Sequence, residues 1–177
     1  MIKITHINGD EKVVTKGAFE SIFKPLGYKT IVNKEIKKEE VKDINISGLE
    51  DMLWVNCLSH LVCIEALIPQ MIEKGEGLII NVLSSCCKAN ITTMGGYTAS
   101  KKAMEALSKI LVKEVKDKGI KVLDVYPGGV DTNFRTNERT DYLRPETIAK
   151  HIIYVLENNE DGMMQEIVCR PIVENNY

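Results

Sequence analysis

Tyr97 and Lys101 stand four residues apart in the stretch Gly96-Tyr97-Thr98-Ala99-Ser100-Lys101. On a helix that spacing stacks the two side chains on one face. A tyrosine hydroxyl titrates at about 10, and a neighbouring ammonium lowers that by roughly 1–3 units. Such a pair can exchange a proton with an alcohol or carbonyl oxygen near neutral pH. Upstream, the run Leu78-Ile79-Ile80-Asn81-Val82-Leu83 ends abruptly in Ser84 and Ser85. A continuous apolar run of this length reads as a fully buried strand, which puts Ser84 at the strand's carboxyl end. Open parallel sheets bind their ligands at that edge, where the serine can face the tyrosine and lysine of the next helix.

The elements that must position these residues alternate along the chain. Residues 2–7 read as a strand and Asn8-Gly9-Asp10 as a turn. Val13, Val14, Ala18, Ile22 and Leu26 fall at helical spacing, so residues 11–26 read as a helix, ended by Pro25 and Gly27. Residues 28–32 make a second strand, and the chain opens with a βαβ unit. Residues 35–46 fit a short helix, a strand or an exposed loop equally well. Ser47 with Glu50 forms a capping box for a long helix over residues 49–74. That helix is apolar almost all round, from Met52 to Ile68, so it needs cover on more than one side. Gly75-Glu76-Gly77 leads into the strand before Ser84. A helix over residues 96–118 ends at Gly119, and a strand over 120–126 runs into the loop Pro127-Gly128-Gly129-Val130-Asp131-Thr132. Residues 133–143 are polar. Pro145 suits the first turn of a helix to about Leu156, and residues 165–170 form a last strand. Alternating strands and helices imply a parallel sheet covered on both faces, within a single domain over residues 1–177.

Composition narrows the partners. The chain has 177 residues, 44% hydrophobic, with a formal net charge of -2. That suits one core-forming domain and gives no field to draw nucleic acid. The charge-rich residues 34–42 mix both signs and read as a solvated segment. Cys57, Cys63, Cys86, Cys87 and Cys169 are odd in number and contain no C-x-x-C pair, which fits reduced thiols in the cytoplasm. Cys86, Cys87 and the methionines read as packing residues. His6, His60 and His151 are scattered and suggest no metal site. The N-terminus has no cleavable apolar core. Residues 49–71 carry Glu50, Asp51, Asn56, His60, Glu65 and Pro69, so they read as a buried helix and not a membrane span.

Taken together, Asn56, Ser84, Tyr97-x-x-x-Lys101 and Pro127-Gly128-Gly129-Val130-Asp131-Thr132 resemble the short-chain dehydrogenase/reductase family, over about residues 49–171. Each residue has a structural explanation when taken singly. Asn56 could be a buried polar group satisfied locally, Ser84 a strand-end cap, and Tyr97 with Lys101 a solvent-facing pair. Their order and spacing carry the resemblance. Ser84 lies thirteen residues before Tyr97, which selects it over Ser85, and Asn56 follows Trp54-Val55 inside the preceding helix. The resemblance implies a Rossmann-like doubly wound parallel sheet, truncated relative to the family. It implies that Tyr97 is the acid–base group and that Ser84 holds the substrate oxygen. Lys101 would supply charge and hold the nicotinamide ribose, and Asn56 would anchor a water-mediated proton path. Pro127, Gly128, Val130 and Thr132 would bind the nicotinamide side of NAD(P). It also implies a homodimer or homotetramer through helices 49–74 and 96–118.

The N-terminal third departs from the family. Its phosphate loop should read Gly-x-x-x-Gly-x-Gly after the first strand. Here Gly9 matches the first glycine, but Val13 and Thr15 stand at the other two. β-branched side chains there obstruct a pyrophosphate, and Asp10 and Glu11 add repulsive charge. Only 24 positions separate Val32 from Asn56, where the family fits two strands and two helices. Asn45-Ile46-Ser47-Gly48 is at best a remnant of the Asn-Asn-Ala-Gly strand end, and Lys34 a faint signal for a phosphate. NAD(P) binding is therefore expected to be weakened or lost. Three functions stay open: an NAD(P)-dependent oxidoreductase of a small alcohol or carbonyl, a cofactor-independent acid–base enzyme on the same scaffold, and a non-catalytic dimerising protein. Residues 86–95 and 133–143 should set substrate choice.

Overall fold

The computed structural model describes residues 2–5, 11–14, 29–32, 39–132, 138–160 and 162–175. The sequence-based expectations for Gly9, Thr15, Lys34 and residues 133–137 fall outside them. The first three strands, β1 (Ile2–Thr5), β2 (Glu11–Val14) and β3 (Lys29–Val32), form an antiparallel sheet in the order β2-β1-β3. This corrects the βαβ expectation, because Glu11–Val14 is a strand and not the start of a helix. Thr5 pairs with Glu11 and Ile2 with Val14. The cause is local. Asn8-Gly9 is a strong hairpin signal, and the β-branched pair Val13-Val14 favours extended backbone.

A 3₁₀ turn, Val41–Asp43, precedes a continuous helix from Ile46 to Lys74. It consists of α1 (Ile46–Leu53), a π turn (Trp54–Leu58) and α2 (Ser59–Lys74). Its N-cap is Asn45, whose side chain accepts from Gly48 N at 3.3 Å, and not Ser47. Asparagine and serine cap about equally well. The extended backbone of Asn45 (φ -74°, ψ 124°) decides between them, and the box with Glu50 is not used.

The helix is also less buried than expected. Only Asn56, Cys57 and Ser59 are buried along it, while Leu58, Leu61, Leu67 and Ile72 are exposed. It has the length and apolar composition to cross a membrane. Yet it lies along the sheet, with Ile64, Ile68 and Met71 packed on the strands' core residues.

The second sheet is parallel, in the order β4-β5-β6, from β4 (Gly77–Val82), β5 (Ile120–Pro127) and β6 (Glu166–Cys169). The register pairs Gly77 with Ile120 and Asp124 with Glu166. Between β4 and β5 lie α3 (Cys86–Ala89) and α4 (Gly95–Val115), and between β5 and β6 lies α5 (Pro145–Glu157). The central strand β5 alternates its faces. Ile120 and Val122 meet α2 and α4, whereas Leu123 and Val125 meet Ile148 and Val155 of α5. Helices therefore cover both faces of an α/β sheet, as in a Rossmann-like fold. Burial on both sides is why β5 reads as a near-continuous apolar run.

Gly75 and Gly119 end the two long helical segments in the left-handed conformation, with φ of 70° and 73°. A Cβ at Gly119 would lie 1.9 Å from the carbonyl oxygen of Gly75. Gly119→Ala adds this backbone clash to the strain of positive φ. It is expected to lower unfolding free energy by about 2–3 kcal/mol, read by urea denaturation.

Candidate active site

At the carboxyl end of β4 the chain turns through Leu83 and Ser84. Leu83 N donates to Val125 O and Ser85 N to Pro127 O, which fixes this turn beside the end of β5. The Ser84 hydroxyl accepts from Cys86 N at 3.3 Å and so starts the short α3. Four residues are too few for a periodic signal, so nothing in the sequence marks α3. Asn90 and Thr93 both take positive φ before α4 opens.

Tyr97 sits in the first turn of α4, half-buried against the cluster of Leu83, Cys86 and Met104. One turn on, Lys101 is buried, and its Nζ donates to Val82 O at 3.0 Å. Leu83 turns its N–H toward β5, so Val82, its neighbour, presents its carbonyl to the other edge of β4. Lys101 takes the place of a strand neighbour there. Burial pushes its amine below the usual lysine range, against an upward pull from the thiols of Cys86 and Cys87.

Asn56 lies in the π turn. The extra residue in such a turn displaces one backbone bond. Here Ser59 Oγ donates to Val55 O at 2.7 Å, satisfying a carbonyl that the ordinary ladder would use. The turn aims Asn56 at α4. Its Nδ2 donates to Ser100 Oγ at 3.0 Å, and that hydroxyl donates to Tyr97 O at 2.8 Å. Asn56 thus grips the backbone of the turn that carries Tyr97 and Lys101.

The Pro127–Thr132 loop lies across the same sheet edge. Gly128 N donates to Cys169 O, and Gly129 N donates to Glu174 Oε1 at 2.6 Å. The Tyr142 ring lies flat enough on Gly129 that a Cβ there would come within 2.2 Å of it. Val130 and Leu143 form a bridge that uses Gly129 O and Asp131 N. Arg139 stacks on Tyr142 at 3.9 Å and pairs with Asp141. The loop is therefore held from two sides, with Thr132 exposed at its end.

Three features of this neighbourhood escaped the sequence. Cys86 is fully buried beside Ser84, Thr98 and Lys101, so it belongs to the site's wall as well as to the core. A hydrogen bond with Cys87 pushes its thiol down, against burial and with help from Ser84, while Cys87 is pushed up. Beneath the site lies a buried polar seam that holds α4 to the sheet. Asn81, Ser108 and Asp124 hydrogen-bond one another, and Tyr126 donates to Glu105. The third is His60, one turn beyond Asn56. Its Nδ1 is buried without a hydrogen-bond partner. Burial first, and the Lys101 charge second, lower it to about 4. Folded His60 stays neutral where an unfolded histidine takes up a proton, so stability falls as pH drops from 6.5 toward 4. The full loss is about 3 kcal/mol. His60→Gln is expected to flatten this part of the acid limb, read as melting temperature against pH. Among the described residues no group of acidic, histidine and cysteine side chains could hold a metal.

The short chain dehydrogenase family model matches residues 30–143, and the chain belongs to that family. The match starts in β3 and ends at Leu143, earlier at both ends than the resemblance over residues 49–171. An uncharacterised oxidoreductase of Staphylococcus epidermidis is 30% identical over 138 residues, covering 75% of this chain and 59% of the relative. One of Staphylococcus aureus is 28% identical over 151 residues, covering 82% and 65%. Among solved structures, an alcohol dehydrogenase from the archaeon Thermococcus sibiricus, complexed with 5-hydroxy-NADP, superimposes with a TM-score of 0.73 at 22% identity. It covers 82% of this chain and 63% of that one. Serine dehydrogenase from Escherichia coli gives 0.71 at 20% identity, covering 80% and 62%. The chain thus spans about six-tenths of the length of these relatives.

Proposed function

We propose that this chain is an oxidoreductase of a small alcohol or carbonyl compound, using Tyr97, Lys101, Ser84 and Asn56. The observation that carries this reading is Lys101, a buried amine one helical turn from Tyr97, whose Nζ reaches the end of β4. Tyr97 exchanges the proton of the substrate oxygen. Lys101 favours the phenolate by its charge. Ser84 holds the substrate oxygen from the strand end, and Asn56 fixes the helical turn through Ser100. Residues at the sheet's carboxyl edge fit the nicotinamide half of NAD(P). Lys101 keeps donors beyond the one used on Val82, and the clamped turn of Pro127, Gly128, Val130 and Thr132 lies at the same sheet edge. When bound, the nicotinamide gives or takes the hydride. The pyrophosphate half has no such support at β2, because Glu11–Val14 is a strand and presents no helix N-terminus. That observation keeps the second reading, acid–base chemistry by Tyr97 and Lys101 without a dinucleotide.

The test is consumption of NADH or NADPH over a panel of small ketones, aldehydes and 2-oxo compounds. Turnover with one nucleotide supports the first reading. Silence across the panel, with enolisation or dehydration of a carbonyl substrate, supports the second.

The assembly proposed is a dimer of this chain. Leu58, Leu61, Leu67 and Ile72, with Ile110 of α4, leave both helices with apolar surface open in one copy. A second copy related by a two-fold axis covers such a surface. Sedimentation at micromolar concentration should show a dimer or tetramer, and a monomer alone would contradict the proposal.

A further inference from the structure

Lys101 is buried, and one of the N–H bonds of its amine is committed to Val82 O. An amine that trades protons with Tyr97 from such a position needs another group to carry them outward. Asn56 is already engaged with Ser100 through its amide nitrogen. His60 follows Asn56 by one turn on the same helix face. The residue as a whole is half-buried. The inner nitrogen, Nδ1, has no partner. A buried ring nitrogen left without a hydrogen bond is rare in folded proteins and calls for a water or a functional role.

We propose that His60 is the outer link of the proton path from Lys101, accepting at Nδ1 directly or through one water and releasing from Nε2 to solvent. This rests on the oxidoreductase reading and extends it. In alcohol oxidation Tyr97 takes the hydroxyl proton, and Lys101 relays one proton onward. The Nδ1 lone pair takes it up, and the Nε2 proton leaves, so one proton is released for each substrate oxidised. In carbonyl reduction the same steps run inward. Two features suit the ring to this work. Burial and the Lys101 charge keep it neutral across neutral pH, which leaves a lone pair to accept. Once Lys101 has passed on its proton, its repulsion disappears, and the ring becomes a better base at the moment it must act. Lys101 on α4 is the charged group acting on His60, and the thiols Cys57 and Cys63 lie on its own helix.

Two readouts decide the proposal. The first needs no substrate. Nitrogen-15 NMR of histidine-labelled protein follows the His60 ring against pH. A neutral ring through the neutral range, with a midpoint that rises in Lys101→Met, is expected. A midpoint that ignores Lys101→Met breaks the link, whether or not the protein turns over. The second uses the active protein. His60→Leu should lower kcat on the order of tenfold or more, with substrate KM within about twofold, and should move the pH profile of kcat. His60→Gln keeps a hydrogen-bonding side chain but cannot carry a proton, so it should be equally slow. Full activity in His60→Gln would reduce His60 to a structural residue and overturn the relay. If the wild-type protein oxidises or reduces nothing with either nucleotide, the oxidoreductase reading fails by itself, and the NMR midpoint still decides whether His60 and Lys101 are coupled.

Discussion

Tyr97→Phe is expected to lower turnover by about 10²–10⁴-fold while leaving the fold intact. The substitution removes one oxygen. The ring keeps its packing against Leu83, Cys86 and Met104, and the Ser100 bond to the Tyr97 carbonyl does not involve the side chain. The helical turn that carries Lys101 should therefore stand unchanged. Steady-state kinetics on the best substrate of the panel, with melting temperature as the control, reads both halves of this expectation. Turnover within threefold of the wild type would remove Tyr97 from the chemistry. A comparable loss accompanied by unfolding would say nothing of catalysis, so the melting temperature must be measured on the same preparation.

Glu105→Ala should cause the largest loss of stability, about 3 kcal/mol in urea denaturation. Glu105 is buried, and one of its oxygens accepts from three donors. Lys88 Nζ lies at 2.9 Å, Tyr126 OH at 3.0 Å and Lys109 Nζ at 3.1 Å. Lys88 also sits 4.0 Å over the Tyr126 ring and pairs with Glu166 at 3.0 Å. Removing the carboxylate leaves a buried phenol short of its best acceptor and two ammonium groups undercompensated. Glu105→Gln keeps an acceptor oxygen and should cost about half as much. Lys109→Ala should cost under about 1 kcal/mol, because that side chain is 51% exposed and its pair is screened. A loss below about 0.5 kcal/mol for Glu105→Ala would show that the seam is not what holds α4 to the sheet.

The chain from about residue 49 onward was legible because its signals are local and of one kind. Leu78 to Leu83 is an unbroken apolar run, the mark of a strand buried in a parallel sheet. Gly75 and Gly119 sit where the helices need positive φ, and Pro145 opens α5 as its fixed φ allows. The spacing of Asn56, Ser84, Tyr97 and Lys101 carried the family.

The opening segment misleads because Val13 and Val14 fit a helical stripe and a strand alike, and Asn8-Gly9 fits a simple turn before a helix as well as a hairpin. Ser47 and Asn45 are both good caps, and only the backbone angle at Asn45 separates them. His60 and Glu105 could not be read at all. A histidine in an apolar run looks like packing, and the Lys101 charge that acts on it lies on another helix. Glu105 gains its role from Lys88, Tyr126 and Glu166, which the chain collects from three other elements.

The most direct test of the oxidoreductase reading is thermal unfolding of the purified protein with and without saturating NAD(H) and NADP(H). A ligand at a hundredfold excess over its Kd adds about 2.7 kcal/mol of stability. For a chain of this size that corresponds to a rise in melting temperature of roughly 5–10 °C. Such a rise with one nucleotide pair, reduced by Lys101→Met, is the expected result. A folded protein whose melting temperature moves with none of the four nucleotides would contradict nicotinamide-dependent chemistry and leave Tyr97 and Lys101 to act, if at all, as an acid–base pair on their own.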